Sequence, residues 1–522
     1  MKILFIYPNA GSQLGFSYGI AHLSAILRRA GHKVALWQLC EDIAPLPSEK
    51  NFSDRLRQEN PDIIGFSVVT NQWSYAKKLA VWAREATDAP LVCGGIHVMA
   101  ATEQVLRSGV FDYIMRGEAE DALAEFVDKL SRGHDITGIA NLGFMQNGEP
   151  RLNPLRPLPD LATLPFKDYE IFDFQKIIDA KNGWVGLMAS RGCPFSCTYC
   201  FNHQFVSHYR KDLACSFKGL NYIRHFPVEQ MMKEIKYLLA HYRNIRMFIL
   251  DDDLFTFYRR YVRQFCESYR KISPLPFVVN GHVGFFDKIR ARWLADAHCK
   301  IVKFGVESGS DRIRRRILQR RMKNEKIITT IETARQFGLH SSVFLMIGLP
   351  GETHDDLMAT IELMARAQPG RYRWSFFFPF PGTKAYDIAR DGDYIDFEKM
   401  GRLENFTDAS CLRFGPEQDL LLKKVGRIMP WFVNARSDFE TADFYRRKVE
   451  EILALDEADW QRRAQTIEQE DKDISKEFVR RGLRHYALKY NRFMGVVSDY
   501  FTNEDRIPAH GAAAIDSCRD RC

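Results

Sequence analysis

Over the first 145 positions, short apolar runs alternate with longer stretches whose apolar residues recur at helical spacing. KILFIY (2–7), VALWQL (34–39), IIGFSVV (63–69), PLVCGG (90–95) and DYIM (112–115) read as strands. Tyr18 to Arg29, 72–86, 100–108 and 117–130 read as helices, the first stopping at Gly31 as a glycine-terminated helix does. Strand cores that are apolar throughout, each followed by a helix, predict a parallel, doubly wound sheet with ligands bound beyond the strand C-termini. Residues 146–182 carry prolines 150, 154, 157, 159 and 165 with little periodicity, and read as a linker. Alternation returns with strands expected at 184–190, 245–250, 277–280, 300–308, 342–348 and 372–378, and a helix from Val228 to Tyr242. Six strand–helix units with polar motifs at the strand ends predict an open or partial β/α barrel. Beyond 381 the strand signal fades; 459–493 is mostly helical and charged, and the last fifteen residues read as a mobile tail.

Composition adds bounds. At 522 residues the chain has room for about three domains. Its 46% hydrophobic and 27% charged content is that of a globular protein and excludes whole-chain disorder. A net charge of +8 is mild at this length and does not argue for nucleic acid. No run approaches the ~18 apolar residues of a membrane helix, and MKILFIYPNAGSQ reads as a first strand rather than a leader. A cytoplasmic location follows as an expectation, so the 11 cysteines are read as core, ligand or catalytic thiols rather than disulfides.

The sharpest chemical signal is RGCPFSCTYCFN (191–202), which spaces Cys193, Cys197 and Cys200 as C-x3-C-x2-C directly after an expected strand. Three such thiolates suit three irons of a four-iron, four-sulfur cluster and leave the fourth iron open. A zinc site completed by His203, or three core thiols, are the competing readings.

The motif, with Tyr199 before its last cysteine, resembles the radical S-adenosylmethionine (SAM) enzymes. In that family the open iron holds the amino and carboxylate groups of SAM, and an electron from the cluster splits the sulfonium to a 5′-deoxyadenosyl radical. Further matching segments follow in order at strand ends: DDDLF (251–255), GVESGS (305–310), MIGLPGET (346–353) and FPFPGTKAYD (378–387). The resemblance implies SAM contacts at Tyr199, Asp252, Asp253, Glu307, Ser308, Ile347 and Gly348, beside catalytic cluster ligands Cys193, Cys197 and Cys200. Asp251 to Asp253 also read as a solvated turn, and Glu307 as the partner of a nearby arginine.

Residues 1–145 lack the G-x-G-x-x-G that NAD or FAD binding would require after the first strand, showing only Gly11 and Gly15 in NAGSQLGFS. They resemble instead the cobalamin-binding domain that precedes many radical SAM barrels, in SYGIAHLSAILRRAGHKV (17–34), IIGFSVVTNQW (63–73), CGGIHVMA (93–100) and DYIMRGEAEDAL (112–123). No Asp-x-His-x-x-Gly is present, so the implied cobalamin is base-off. The resemblance implies cobalamin contacts at Gly15, Ser67, Thr70, Asn71, Gln72, Trp73, Gly94, Gly95, His97, Gly117 and Glu118, with one of Thr70 to Trp73 beneath the corrin. Trp73 also reads as a core aromatic, His97 as a backbone-satisfied loop histidine, and the whole domain as a vestigial sheet.

The expected fold class is α/β: a Rossmann-like cobalamin domain (1–145), a linker (146–182), a partial (β/α)6 radical SAM barrel (183–400) and a mainly helical region with a tail (401–522). The resemblance, to cobalamin-binding radical SAM enzymes of the class B methyltransferase type, implies a methyltransferase acting on an unactivated carbon. Two SAM molecules would serve, one remethylating the cobalamin and one giving the radical. Cyclisation or rearrangement without methyl transfer, a non-catalytic cobalamin or iron–sulfur sensor, and a zinc-stabilised RNA module are the alternatives. Implied partners are a small-molecule, peptide or lipid substrate and a low-potential donor of flavodoxin or ferredoxin type, with no nucleic acid. RRGLRHYALKYNRFMGVVSDYF (480–501) reads as a charged cap or a substrate cover, and CRDRC (518–522) supplies too few ligands for a second metal.

Overall fold

The computed structural model describes residues 1–12, 14–403, 409–489 and 494–496; the tail, CRDRC and the end of the 480–501 segment lie outside the described residues. The described residues form two compact units, one built on Met1–Phe195 and Cys200–Asp253, the other on Ser196–Tyr199 and the described residues between Leu254 and Val496.

In the first unit, β1 (Lys2–Pro8), β2 (Lys33–Leu39), β3 (Ile63–Ser67), β4 (Leu91–Gly94), β5 (Tyr113–Met115), β6 (Leu142–Gln146) and β7 (Glu149–Leu152) form one sheet in the order β2-β1-β3-β4-β5-β6-β7. The first five are parallel. Ile3 to Ile6 of β1 are buried, as expected of a strand covered on both faces. The helix Tyr18–Arg29 begins where Ser17 Oγ accepts the Ile20 N–H, and Arg28 and Arg29 in its last turn complement the helix dipole. Strand order reverses direction between β1 and β3, so the crevice beyond their C-terminal ends is the place for a ligand.

Two differences from the sequence pattern have local causes. The helix Glu49–Glu59 was not anticipated, because it buries only Phe52, Ser53 and Leu56 and carries too little apolar surface to register as periodic. The stretch expected to be an unpatterned linker contains β7, which pairs antiparallel with β6, and the helix Phe174–Ala180. The hairpin turn is Asn147-Gly148, both at positive φ (52° and 81°), the dipeptide that a tight two-residue hairpin favours.

The six strands expected for the barrel are all present. β8 (Trp184–Leu187) and β11 (Met247–Leu250) pair in parallel in the first unit, which also holds the two-residue antiparallel ladder of β9 (Ser190–Arg191) and β10 (Arg224–His225). The second unit holds β12 (Phe277–Gly281), β13 (Cys299–Glu307), β14 (His340–Ile347) and β15 (Arg371–Phe376), parallel neighbours in that order. Helices Lys288–Asp296, Asn324–Gln336 and His354–Ala367 connect them.

The C-terminal region is helical as anticipated: Pro416–Arg436, Ala442–Leu453, Glu457–Ala464 and Ile467–Arg480, with Trp431, Phe432 and Tyr445 in the core. The first of these helices bends at Ile428 (φ −136°, ψ 35°), ahead of Pro430. Pro430 has no N–H to give the Gly426 carbonyl. Trp374 Nε1 of β15 donates to that carbonyl instead, at 2.8 Å. Two short strands, β16 (Leu488–Lys489) and β17 (Gly495–Val496), pair antiparallel, and β17 pairs with β15. Among the described residues no helix is long and apolar enough to cross a membrane.

Candidate cofactor sites

The approach to the cysteine loop is fixed residue by residue. Asp252, fully buried after β11, accepts the Ala189 N–H at 3.1 Å and the Ser190 hydroxyl. Burial pushes its carboxyl up to about 7, against those bonds. Arg191 follows in β9, held by Glu118 and Glu120 at 2.7 Å each. Gly192 sits at φ +95°, where a side chain would overlap the Tyr222 carbonyl; only glycine fits. Cys193 is half-buried. Cys200, also half-buried, is the N-cap residue of helix Phe201–Asp212. Tyr222 lies in the field of Asp253, Cys193 and Cys200, and burial together with those negative groups raises its hydroxyl well above the usual range. Asp253 accepts from Asn202 and the Gly192 N–H, yet desolvation by the protein walls around it leaves its carboxyl raised.

In the second unit, Cys197 is buried at 6% exposure. Arg320 Nη1 donates to its sulfur at 3.4 Å and to Tyr199 Oη at 3.2 Å, while Nη2 donates to the Gly305 carbonyl. Tyr199 Oη donates to Glu307 Oε1 at 3.1 Å. Thr198 is tied to the turn before Arg320, its N–H to Leu318 O and its hydroxyl to Ile317 O at 2.6 Å. That turn is a single π-helical stretch, Ile313–Ile317, a local irregularity found often at functional sites. Glu307 holds φ +70° just past a register shift in β13, a strained conformation for a side chain with a Cβ. Burial raises its carboxyl, against the pull of Arg320 and Tyr199. Ser308 is buried and accepts the Ser310 N–H. Ile347 is buried at the end of β14, and Gly348 (φ +71°) donates its N–H to Glu352 at 2.6 Å. Glu352 is pushed up to about 8 by burial.

Arg320 escaped sequence reasoning. It is the last but one residue of RIRRRILQRR (312–321), a run that reads as a solvated charged face, and only the tertiary turn singles it out. Among the described residues no three His, Cys, Asp or Glu side chains converge tightly enough for a single metal ion. The donor chemistry fits an iron–sulfur cluster: three cysteines within eight consecutive residues, one of whose sulfurs already accepts from a guanidinium.

The loops at the C-terminal edge of β1, β3 and β4 knit together. Gln72 Nε2 donates to Ala10 O at 2.7 Å and to Ser12 Oγ at 2.6 Å, and Asn71 reaches Ser12 Oγ at 3.3 Å. A side chain on Gly95 (φ +97°) would stand 2.5 Å from Val68 O, so its glycine serves packing against the end of β3. A side chain on Gly94 would meet only ordinary contacts, the nearest at 3.8 Å. Trp73 lies against His97 at 4.7 Å, and His97 Nδ1 meets Thr70 Oγ1 at 3.4 Å. His97 is 3% exposed, burial lowers it to about 4, and its Nε2 has no hydrogen-bond partner among the described residues. A buried polar atom left orphaned in this crevice is what a bound ligand would satisfy, so these residues fit a cofactor here. Ser67 and Gly15 are half-buried, and the Gly15 carbonyl accepts from Gln38. Gly117 and Glu118 face the cysteine segment: Tyr209 occupies the space beside Gly117, and Glu118 is engaged by Arg191 and Arg224.

A model of the B12 binding domain matches residues 12–127, and one of the Radical SAM superfamily matches residues 187–364. An uncharacterized methyltransferase, PH0819, of Pyrococcus horikoshii is 27% identical over 78% of this chain and 89% of its own. An anaerobic magnesium-protoporphyrin IX monomethyl ester cyclase of Rubrivivax gelatinosus is 24% identical over 76% of this chain and 72% of its own. Among solved structures, the radical SAM methyltransferase TsrM from Kitasatospora setae, with tryptophan substrate and a SAM analogue bound, superimposes with a TM-score of 0.62 at 18% identity, covering 75% of this chain and 76% of that one. The N-terminal sheet and the six parallel strands thus have the fold of a B12-binding domain joined to a radical SAM domain, with cobalamin, SAM and a four-iron, four-sulfur cluster as cofactors. One chain thus joins a B12-binding domain to a radical SAM domain, the pairing that marks the cobalamin-binding radical SAM enzymes.

Proposed function

We propose that this enzyme transfers a methyl group to an unactivated carbon of its substrate. The observation that carries the reading is the pairing in one chain of a B12-binding match and a radical SAM match, supported by relatives named as methyltransferases. When bound, the cluster and SAM supply a carbon-centred radical and the cobalamin, base-off, supplies the methyl group.

The protein's own work is positioning. Cys193, Cys197 and Cys200 would ligate the cluster. Arg320, already donating to the Cys197 sulfur, is assigned the SAM carboxylate, the acid that a five-donor fork suits best. Asp253, Tyr199, Glu307, Ser308, Ile347 and Gly348 are assigned to the rest of SAM. Asp252 is assigned to holding Ala189 and Ser190, since its oxygens already serve them. On the corrin side, Gly15, Ser67, Thr70, Asn71, Gln72, Trp73, Gly94, Gly95 and His97 are assigned to the crevice. His97, neutral at physiological pH, offers Nε2 as a hydrogen-bonding atom.

The magnesium-protoporphyrin cyclase relative favours a second reading, oxidative cyclisation without methyl transfer. Anaerobically reconstituted, cobalamin-loaded enzyme, given reductant, methyl-deuterated SAM and a small-molecule extract of the source cells, separates the two. Methylation places the deuterated methyl in a new product. A new product formed with 5′-deoxyadenosine but without the label contradicts methylation and supports cyclisation.

A further inference from the structure

Three residues just beyond β5, Gly117, Glu118 and Glu120, grip both arms of the cysteine segment. Gly117 to Glu120 follow β5. On the upstream arm, Arg191, two residues before Cys193, meets Glu118 Oε2 and Glu120 Oε1 at 2.7 Å each. Arg224, paired with Arg191 across the β9–β10 ladder, binds both oxygens of Glu118 and donates to the Pro159 carbonyl at 2.6 Å. On the downstream arm, Tyr209 lies on the helix that Cys200 caps. Its hydroxyl accepts the Glu118 N–H at 2.8 Å and occupies the space a Gly117 side chain would need. The four charged side chains are only 5% to 14% exposed.

A buried charge network of this kind is poor at adding net stability, because desolvation consumes much of the attraction; its best-attested use is to fix one register. The register fixed here is that of the loop beyond β5 against the two ends of the cysteine loop. Both Glu118 oxygens are committed to arginines, so the carboxylate is not offered to a corrin.

We infer that Glu118 and Glu120 are positioning residues through which cobalamin binding at the β-sheet edge and cluster assembly at Cys193 and Cys200 favour each other. The inference rests on the cofactor reading above. Ordering the cysteine segment around a cluster would hold the β5 loop in place, and a corrin held by that sheet edge would do the converse; linkage makes the two effects equal.

The test is hydroxocobalamin affinity by absorbance titration of the full chain, cluster-free and cluster-loaded, in wild type and Glu118→Gln. The wild type is expected to bind about fivefold or more tightly with its cluster, and Glu118→Gln to lose that difference while keeping its far-ultraviolet circular dichroism. Tyr209→Phe, which removes the hydroxyl and leaves the charges, is a second variant expected to shrink the difference, and it decides the matter if Glu118→Gln misfolds. Equal wild-type affinities with and without cluster overturn the inference, as does a full difference surviving in the variants. Wild type that takes up neither cofactor overturns the cofactor reading and this inference with it.

Discussion

Arg320 is held by the Cys197 sulfur, the Tyr199 hydroxyl and the Gly305 carbonyl. Replacing it with methionine keeps the stem and removes the fork. Losing charge-assisted hydrogen bonds of this type costs about 1.5–3 kcal/mol, so Arg320→Met is expected to weaken SAM binding roughly 10- to 100-fold by equilibrium titration, with the cluster still assembled. Unchanged SAM affinity would return Arg320 to a purely structural role. His22 gives a prediction about pH. It is 1% exposed, lies flat against Phe226, and burial, with Lys167 and Arg191 nearby, lowers it to about 2. Its folded value is depressed below the unfolded 6.5, so its stabilisation is present above about pH 6.5 and is lost as pH falls toward the folded value. The loss is on the order of 2 kcal/mol by about pH 5. His22→Gln is expected to flatten the acid limb of a denaturant-midpoint profile; an equally steep limb would assign the acid sensitivity to other groups. At this scale the cysteines were legible because their spacing is dense and local. Arg320 was not, because five other arginines crowd positions 312–321 and only the π-helical turn distinguishes it.

Elements were legible where one period dominated. β1, the helix Tyr18–Arg29 and β12 to β15 stand within a residue or two of the expected positions, since apolar runs and glycine stops act locally, whereas the two-residue strands β16 and β17 lie where no strand was expected. The helix Glu49–Glu59 and the β6–β7 hairpin were not, the first for want of apolar residues, the second because its Asn147-Gly148 turn lies among prolines that suggest a linker. The bend before Pro430 was equally silent, because the donor that repairs it, Trp374, is 52 positions from the Gly426 carbonyl in sequence. Trp374→Phe would leave the Gly426 carbonyl unpaired and is expected to destabilise the protein by about 1–3 kcal/mol in denaturant unfolding. No change would show that the carbonyl finds another donor. Gly192→Ala acts on the loop instead. Positive φ and overlap with the Tyr222 carbonyl predict loss of most of the iron and sulfide bound on reconstitution, with circular dichroism unchanged; a full complement of iron would show that the loop tolerates the shift.

For the whole chain, regular alternation of strand and helix was enough to anticipate the α/β class, the N-terminal parallel sheet and the six later strands; that the first sheet is a B12-binding one was legible only through the family resemblance of its loop segments. Its division into two compact units, with β8 and β11 in one and β12 to β15 in the other, was not anticipated, because nothing periodic marks it. Nor did spacing identify the partners of Glu118, read as a corrin contact and found bound to Arg191 of the cysteine segment and Arg224 of β10. Everything proposed for the enzyme depends on three thiolates that leave one iron free for SAM in a protein that also carries cobalamin. The most direct test is 5′-deoxyadenosine formation by anaerobically reduced, cobalamin- and cluster-loaded enzyme with SAM, compared with Cys197→Ala treated identically. Formation by the wild type and none above background by the variant is the predicted result; equal formation by both, or none by fully loaded wild type, would contradict it.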